Sequence, residues 1–171
     1  MAQPRFFTVF AGSAGNDDTY NANGAHVAAT DYYVTPPTGE KWEVARMIVS
    51  IYDTKGLEPE TYDAGGALAQ PLNLVLSRFN DEGVLEETVL TAEGITQLHQ
   101  WAHYCHDVTL HSWTNTTNEA VTVRWTFSRA GAPIVLKTGE KLIVRFAAGS
   151  DASDLLAHHF VFQGVSLAYS D

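Results

Sequence analysis

The sequence contains little cysteine, little positive charge and no long hydrophobic run. Cys105 is the only cysteine, so no disulfide can form within the chain. Ten basic residues face twenty acidic ones, and the formal charge of −10 disfavours contact with nucleic acid phosphates or anionic lipids. The longest apolar stretches, such as Met47–Tyr52, are far shorter than the roughly 18 residues that a membrane helix needs. We therefore expect neither nucleic acid nor a membrane as a partner.

The cellular location is suggested by two further features. The start of the chain, Met1–Phe7, has one arginine but no sustained apolar segment behind it, which is unlike a secretory signal peptide. A lone cysteine is typical of a protein that is made in a reducing cytoplasm. We therefore expect synthesis in the cytoplasm, although a particle assembled there can later leave the cell.

Helical periodicity is almost absent, and short runs of β-branched and aromatic residues alternate with turn residues instead. This pattern predicts an all-β fold, a two-sheet jelly-roll sandwich with one or two short helical turns, at Thr91–Tyr104 and from Ser153. We expect one domain, in which residues 1–24 form an N-terminal arm or a first strand plus loop and residues 25–171 form the jelly roll. The predicted strands are Phe6–Phe10, His26–Thr35, Lys41–Tyr52, Leu72–Phe79, Val84–Leu90, Cys105–Trp113, Ala120–Ser128, Ile134–Leu136, Lys141–Ala147 and His159–Tyr169.

Two of these strands differ in their side-chain pattern. In Ala120–Ser128, apolar residues alternate with polar ones, which predicts one buried and one wet face. In Lys41–Tyr52, both alternating sets are largely apolar, so we expect this strand to be covered on both sides. The segments Ala11–Gly24 and Thr54–Gly66 are rich in turn residues and are predicted to be surface loops.

No catalytic arrangement of residues is visible in the sequence. Seven histidines raise the possibility of a cupin-like metal site, but the H-x-H pair that such a site needs is missing, and the adjacent His158 and His159 would point to opposite faces of a strand. We therefore expect no enzymatic activity, no metal and no cofactor. If all seven histidines were exposed, the formal charge would rise from −10 to −3 near pH 5.

Aromatic residues are the remaining candidates for function. Phe6, Phe7 and Phe10 precede a loop rich in glycine and asparagine, and Trp42 lies in the strand that is apolar on both sides. Filling of the core accounts for most aromatic residues, but an N-terminal apolar segment is ordered only if something accepts it. Phe6, Phe7, Phe10 and Trp42 are therefore our candidate partner-binding residues. The segment is either a strand of its own sheet or an arm that binds a neighbour.

Three blocks of the sequence resemble a set of small virion proteins of tailed bacteriophages. The blocks lie in scattered positions between about residues 30 and 165, and they are Pro36–Val49, Val123–Gly131 and Leu156–Gly164. Members of this set are jelly-roll cement or decoration proteins that bind the outside of the capsid. The blocks contain no catalytic residue.

The resemblance implies a non-enzymatic virion protein that stabilises neighbouring subunits of the major capsid protein. It also implies a homo-oligomer that is assembled into the virion in the host cytoplasm. The apolar N-terminal segment and the strand around Met47 predict that this oligomer is a dimer or trimer. A second interpretation is a tail-associated jelly roll that binds a receptor or carbohydrate through aromatic platforms such as Trp42, Trp101 or Trp113. A cupin-like metal-binding protein is the third.

Overall fold

Strands and two short 3₁₀ turns make up the regular structure of the computed structural model. It describes residues 3–17, 23–24, 30–54, 68, 71–112, 118–130, 132–147 and 157–169. Within these ranges no helix is long and apolar enough to cross a bilayer. The all-β prediction is confirmed. The strands are β1 (Arg5–Gly12), β2 (Gly15–Asp17), β3 (Asn23–Gly24), β4 (Tyr32–Val34), β5 (Glu40–Thr54), β6 (Leu72–Phe79), β7 (Leu85–Ile95), β8 (Asp107–Ser112), β9 (Asn118–Thr126), β10 (Ile134–Leu136), β11 (Lys141–Phe146) and β12 (Ala157–Ala168), and the 3₁₀ turns are Leu98–His103 and Phe127–Ala130.

All strand pairs are antiparallel and belong to one strongly curled sheet. The order across the sheet is β7-β6-β11-β4-β1-β12-β5-β9-β8, and the short strands β10, β2 and β3 pair with β5, β1 and β12 respectively. One buried apolar cluster draws residues from strands along this whole order, so the sheet wraps around a single core as a sandwich does.

Strands β5 and β12 form the centre of the fold. They pair along twelve residue pairs, with one register shift between Gln163 and Gly164. Met47 and Val49 of β5 and Phe160 and Phe162 of β12 are fully buried on the inner face. Burial of each such side chain is worth roughly 1.5 to 3 kcal/mol, so these two strands contribute a large share of the core.

The N-terminal segment is a strand of the protein's own sheet. Strand β1 pairs with β12 from Arg5 to Phe10 and meets β4 at Gly12. Its inward residues Val9 and Ala11 are 6% and 5% exposed. Among the described residues of 1–24, Arg5–Gly12 therefore form a strand of this sheet.

The turn Leu98–His103 brings the two ends of the sheet together. It follows β7 and precedes β8, the two strands that lie at opposite ends of the sheet order. The indole of Trp101 packs edge-on against Trp125 of β9, with ring centroids 6.0 Å apart. The Nε1 of Trp125 donates to the carbonyl of Tyr104 at 2.8 Å, and the Tyr104 hydroxyl donates to the carbonyl of Glu93 at 3.1 Å. The sheet is thus tied across its open side.

Several local predictions need correction. The segment Thr91–Tyr104, predicted to be helical, is helical only at Leu98–His103, because β7 continues to Ile95. Gly94 lies within this strand, and its N–H donates to Asn73 Oδ1 at 2.9 Å. The strand predicted to reach Ser128 ends at Thr126, since the chain turns into a 3₁₀ helix there. The loop predicted at Ala11–Gly24 contains β2 and β3.

Other predictions are met in part by the residues that the structure describes. Of His26–Thr35, residues 32–34 form β4, and residues 26–29 lie outside the described residues. The helical turn from Ser153, the platform residue Trp113 and most of the loop Thr54–Gly66 also lie outside them.

Candidate interaction surface

A row of side chains crosses the outer face of the sheet and includes an exposed aromatic ring. Phe6 of β1 pairs with Val165 of β12, Val165 pairs with Glu43 of β5, and Glu43 pairs with Val135 of β10. Residues directly opposite one another on neighbouring strands share a face, so these four side chains form one row, here called the Phe6 row. Phe6 is 71% exposed and Val135 is 38% exposed.

The next residue of β1, Phe7, points to the opposite face and packs inside the fold. Its ring stacks on Trp42 with centroids 4.3 Å apart and planes 22° from parallel. Trp42 is 4% exposed. Trp42, which was predicted to bind a partner, is thus buried, and Phe7 is half-buried against its indole.

A close approach of two strands underlies this aromatic pair. Gly164 of β12 lies opposite Phe7, and a Cβ atom on Gly164 would lie 2.1 Å from the carbonyl oxygen of Glu43. Only glycine fits that position.

The indole Nε1 of Trp42 donates to Glu40 Oε2 at 3.1 Å, and Ser166 Oγ donates to the same oxygen at 2.6 Å. The hydrogen bond from Ser166, and to a smaller extent the one from Trp42, lowers the pKa of the Glu40 carboxyl.

Phe10 lies on the outer face, like Phe6, but it is half-buried. Its ring lies edge-on to His159, with centroids 5.7 Å apart, and the ring of Tyr52 lies 5.4 Å from the same imidazole. His159 is 7% exposed, and burial lowers its pKa to about 4. Of the four predicted partner-binding residues, Phe6 is therefore the one whose ring is largely open to solvent.

The neighbouring residues His158 and His159 lie on opposite faces of their strand, β12, as the strand pattern predicts. His158 is fully buried, and its ring lies within 5.0 to 5.7 Å of Phe146, Phe160 and Tyr32. Because His159 stays neutral until about pH 4, the expected rise in charge to −3 near pH 5 is too large. Among the described residues, no group of three or more His, Cys, Asp or Glu could hold a metal ion.

Cys105 behaves as a half-buried side chain that packs against the core. Its thiol donates to the carbonyl of Asp107 at 3.4 Å. Burial raises the pKa of this thiol, which favours the less reactive protonated form.

Two of the three aromatic platforms of the carbohydrate-binding interpretation, Trp42 and Trp101, are not at the surface. Trp42 is 4% exposed and Trp101 is fully buried. A sugar ring stacks on an open aromatic face, and neither indole offers one.

Along the outer part of β7, the structure leaves an open cleft. Strand β7 lies at one end of the sheet order, and within the described residues its one neighbouring strand is β6. Its residues 85–88 are all exposed. A cleft of about 360 Å³ separates this strand from β10. Its lining residues are Arg78, Glu87, Val89, Phe127, Ala132, Pro133, Ile134 and Val135.

The tip of the β6–β7 hairpin beside this cleft is strongly acidic. The guanidinium of Arg78 lies 2.7 Å from Glu86, 3.8 Å from Glu87 and 4.0 Å from Glu140. Two more carboxylates, of Asp81 and Glu82, are exposed at the turn. Three carboxylates thus lie within 4.0 Å of one arginine, two more are exposed at the adjacent turn, and the tip has an excess of negative charge.

Sequence reasoning missed the other members of the Phe6 row and the cleft. Val135 is flanked by Ile134 and Leu136, so the apolar run gives no sign that only the middle residue points outward. The strand period places Phe6 and Phe7 on opposite faces, and this signal could have separated them. Which face is buried follows only from the pairing of β1 with β12.

Comparisons with known proteins give little further information. No protein-family model matches the chain, and no curated protein matches it. Two solved structures of a CocE/NonD family hydrolase from Staphylococcus aureus are similar over 96% of this chain, with TM-scores of 0.40 and 0.36 and identities of 10% and 11%. The chain spans 36% of the hydrolase chain. A similarity at this level supports no inference about activity.

Proposed function

We propose that the protein is a non-enzymatic structural component of a phage virion, a cement or decoration protein that binds the outside of the capsid. In this role it contacts neighbouring subunits of the major capsid protein and, as a dimer or trimer, holds them together. The resemblance of three sequence blocks to such proteins is one source of the proposal. The observation that carries it is the exposed ring of Phe6 on a strand held between β12 and β4.

A fixed aromatic ring is well suited to bind a rigid partner. The backbone of Phe6 is already ordered by the sheet, so binding loses little conformational freedom. Complete burial of such a side chain is worth roughly 1.5 to 3 kcal/mol, which corresponds to about 10- to 100-fold in affinity. The neighbouring Val165 and Val135 extend the apolar area, and Glu43 supplies a polar group for orientation.

The experiment is an add-back assay on purified particles that lack the protein. Wild-type protein is titrated onto the particles, and occupancy is measured by quantitative gel analysis. We expect saturable binding and a higher rupture temperature for the decorated particles. The Phe6→Ala variant should bind about 10- to 100-fold more weakly.

Leu110→Ala is the matched control, because Leu110 is 46% exposed and lies on β8, outside the Phe6 row. It should bind like wild type. Equal binding of the Phe6→Ala variant would show that this ring is not the anchor. Failure of wild-type protein to bind particles, together with binding to a glycan array, would favour the tail-associated interpretation.

A further inference from the structure

The outer part of β7 offers backbone groups that no other strand of the described chain uses. Near the end of the strand, the carbonyl of Glu93 accepts a hydrogen bond from the Tyr104 hydroxyl. Along Leu85–Thr91, here called the open part of β7, no described strand pairs with the outer side of the backbone. A strand at the edge of a sheet presents N–H and C=O groups that can pair with an added strand. Leu85, Glu86, Glu87 and Thr88 are all exposed, so nothing in the described chain blocks access to them.

The cleft beside this edge provides a place for side chains of an added strand. Its volume of about 360 Å³ lies in the range of binding pockets. Val89, Phe127, Pro133 and Ile134 give it an apolar wall, and Glu87 lies at its rim. In an extended peptide every second side chain points the same way, so one set can enter the cleft while the other faces away.

Charge determines what kind of strand fits. Glu86, Glu87 and Glu140 lie within 4.0 Å of Arg78, and Glu86 alone, at 2.7 Å, already matches the charge of the arginine. A second copy of the chain, paired edge to edge, would bring the same acidic residues close to their counterparts, and like charges on adjoining strands are destabilising. A basic segment would gain from the same residues.

We propose that the β7 edge and its cleft bind an extended basic segment of another protein. The segment lies antiparallel along Leu85–Thr91 and places an apolar side chain against Phe127 and Pro133. On the same face, two positions along, it places lysine or arginine beside Glu87. Its sequence therefore has apolar and basic residues two positions apart. Val135 belongs both to the Phe6 row and to the lining of the cleft, but Phe6 itself does not line the cleft, so the proposal does not depend on the proposed capsid function.

The test uses the full-length protein and a fluorescent eight-residue lysine-valine peptide, Val-Thr-Lys-Thr repeated twice, in which valine and lysine share one face of the strand. Binding is followed by fluorescence anisotropy. Two control peptides separate the contributions. One replaces lysine by glutamate, and the other keeps the side chains but has every amide N-methylated, which removes its ability to form a ladder. We expect both to bind at least about tenfold more weakly than the first peptide.

Two charge reversals on the same strand test the position of the site. Glu87→Lys, at the rim of the cleft, should weaken binding by about tenfold or more. Glu93→Lys lies beyond the open part of β7, and salt screens its charge from a peptide in the cleft, so this variant should change binding by less than about twofold. Hydrogen exchange should slow at the amides of Leu85–Thr91 when the peptide binds.

Several outcomes would overturn the proposal. Equal binding of the N-methylated peptide would show attraction by charge without strand pairing. Equal effects of the two reversals would place the peptide elsewhere, and so would protection confined to other strands. Absence of binding by the lysine-valine peptide would also overturn it. None of these results bears on binding of the protein to particles through Phe6.

Discussion

The central strands and the open edge of β7 differ in how much of their surface the fold itself uses. On β5 and β12 even the outward residues Ser50, His159 and Val161 are only 7% exposed. On β7, residues 85–88 are all exposed, and one side of the backbone has no partner strand within the described chain. The centre therefore provides stability, and the edge keeps groups available for binding. Phe6 combines the two properties, because its backbone is central and its ring is exposed.

The strongest test of this contrast is removal of residues 1–10. The deletion takes most of β1 out from between β12 and β4, so the core opens and the chain should lose its cooperative thermal transition. Circular dichroism and a thermal melt would measure the loss. A truncated chain that keeps its sheet spectrum and melts cooperatively would show that the segment acts as an arm after all.

The two aromatic residues assigned together from the sequence should differ greatly in their effect on stability. Trp42→Ala removes a buried indole and its stack with Phe7, and should lower the free energy of unfolding by about 3 to 5 kcal/mol. Phe6→Ala removes an exposed ring and should change it by about 0.5 kcal/mol or less. Urea denaturation of both variants makes the comparison, and similar losses would contradict the assignment of the two faces of β1.

Acid should destabilise the centre through His159. The folded-state pKa of about 4 lies below the ordinary value of 6.5, so the unfolded chain takes up a proton first as the pH falls. The contribution to stability is complete above about pH 6.5 and is lost as the pH falls towards 4, by roughly 3 kcal/mol. The lowered pKa of Glu40 acts in the same direction at lower pH.

Denaturation by urea at pH 7, 5.5 and 4 would measure this dependence. His159→Leu should reduce the slope between pH 6.5 and 4. The control His99→Gln, at an exposed position of the 3₁₀ turn, should keep it. A wild-type slope in the His159→Leu variant would show that burial of this imidazole is not the cause.

A smaller effect is expected at the tip of the hairpin. Gly83 has a φ angle of +80°, which favours glycine, but a Cβ there would meet no atom within 4 Å. Gly83→Ala should therefore lower stability by only about 1 to 2 kcal/mol, the energy of the left-handed backbone. Gly164→Ala at the centre should lower it more, because its Cβ would collide with the Glu43 carbonyl. The reverse order in denaturation experiments would contradict the contrast between edge and centre.

The sequence predicts the fold class well because the strand period of two is visible in it. Val121, Val123 and Trp125 are 0%, 0% and 4% exposed, as their alternation in β9 predicts.

The prediction that β5 is covered on both sides is met only in part. The register shift places Trp42 and Val44 on the buried face with Met47, and on the other face Ser50 is 7% exposed but Ile48 is half-buried.

The candidate surface is harder to predict because it depends on long-range pairing. Phe6 becomes part of an exposed row only because β1 pairs with β12, whose partner β5 also pairs with β10. The register shift at Gln163 and Gly164 and the cleft beside β7 arise from contacts between distant segments. No local pattern of residues encodes them.

The most direct measurement of the proposed function is a density map of an intact virion that contains the protein. We predict density for this chain on the outside of the capsid, in contact with at least two major capsid subunits, with the Phe6 ring buried in the contact. Density confined to the tail, or a capsid-bound protein whose Phe6 faces solvent, would contradict the account.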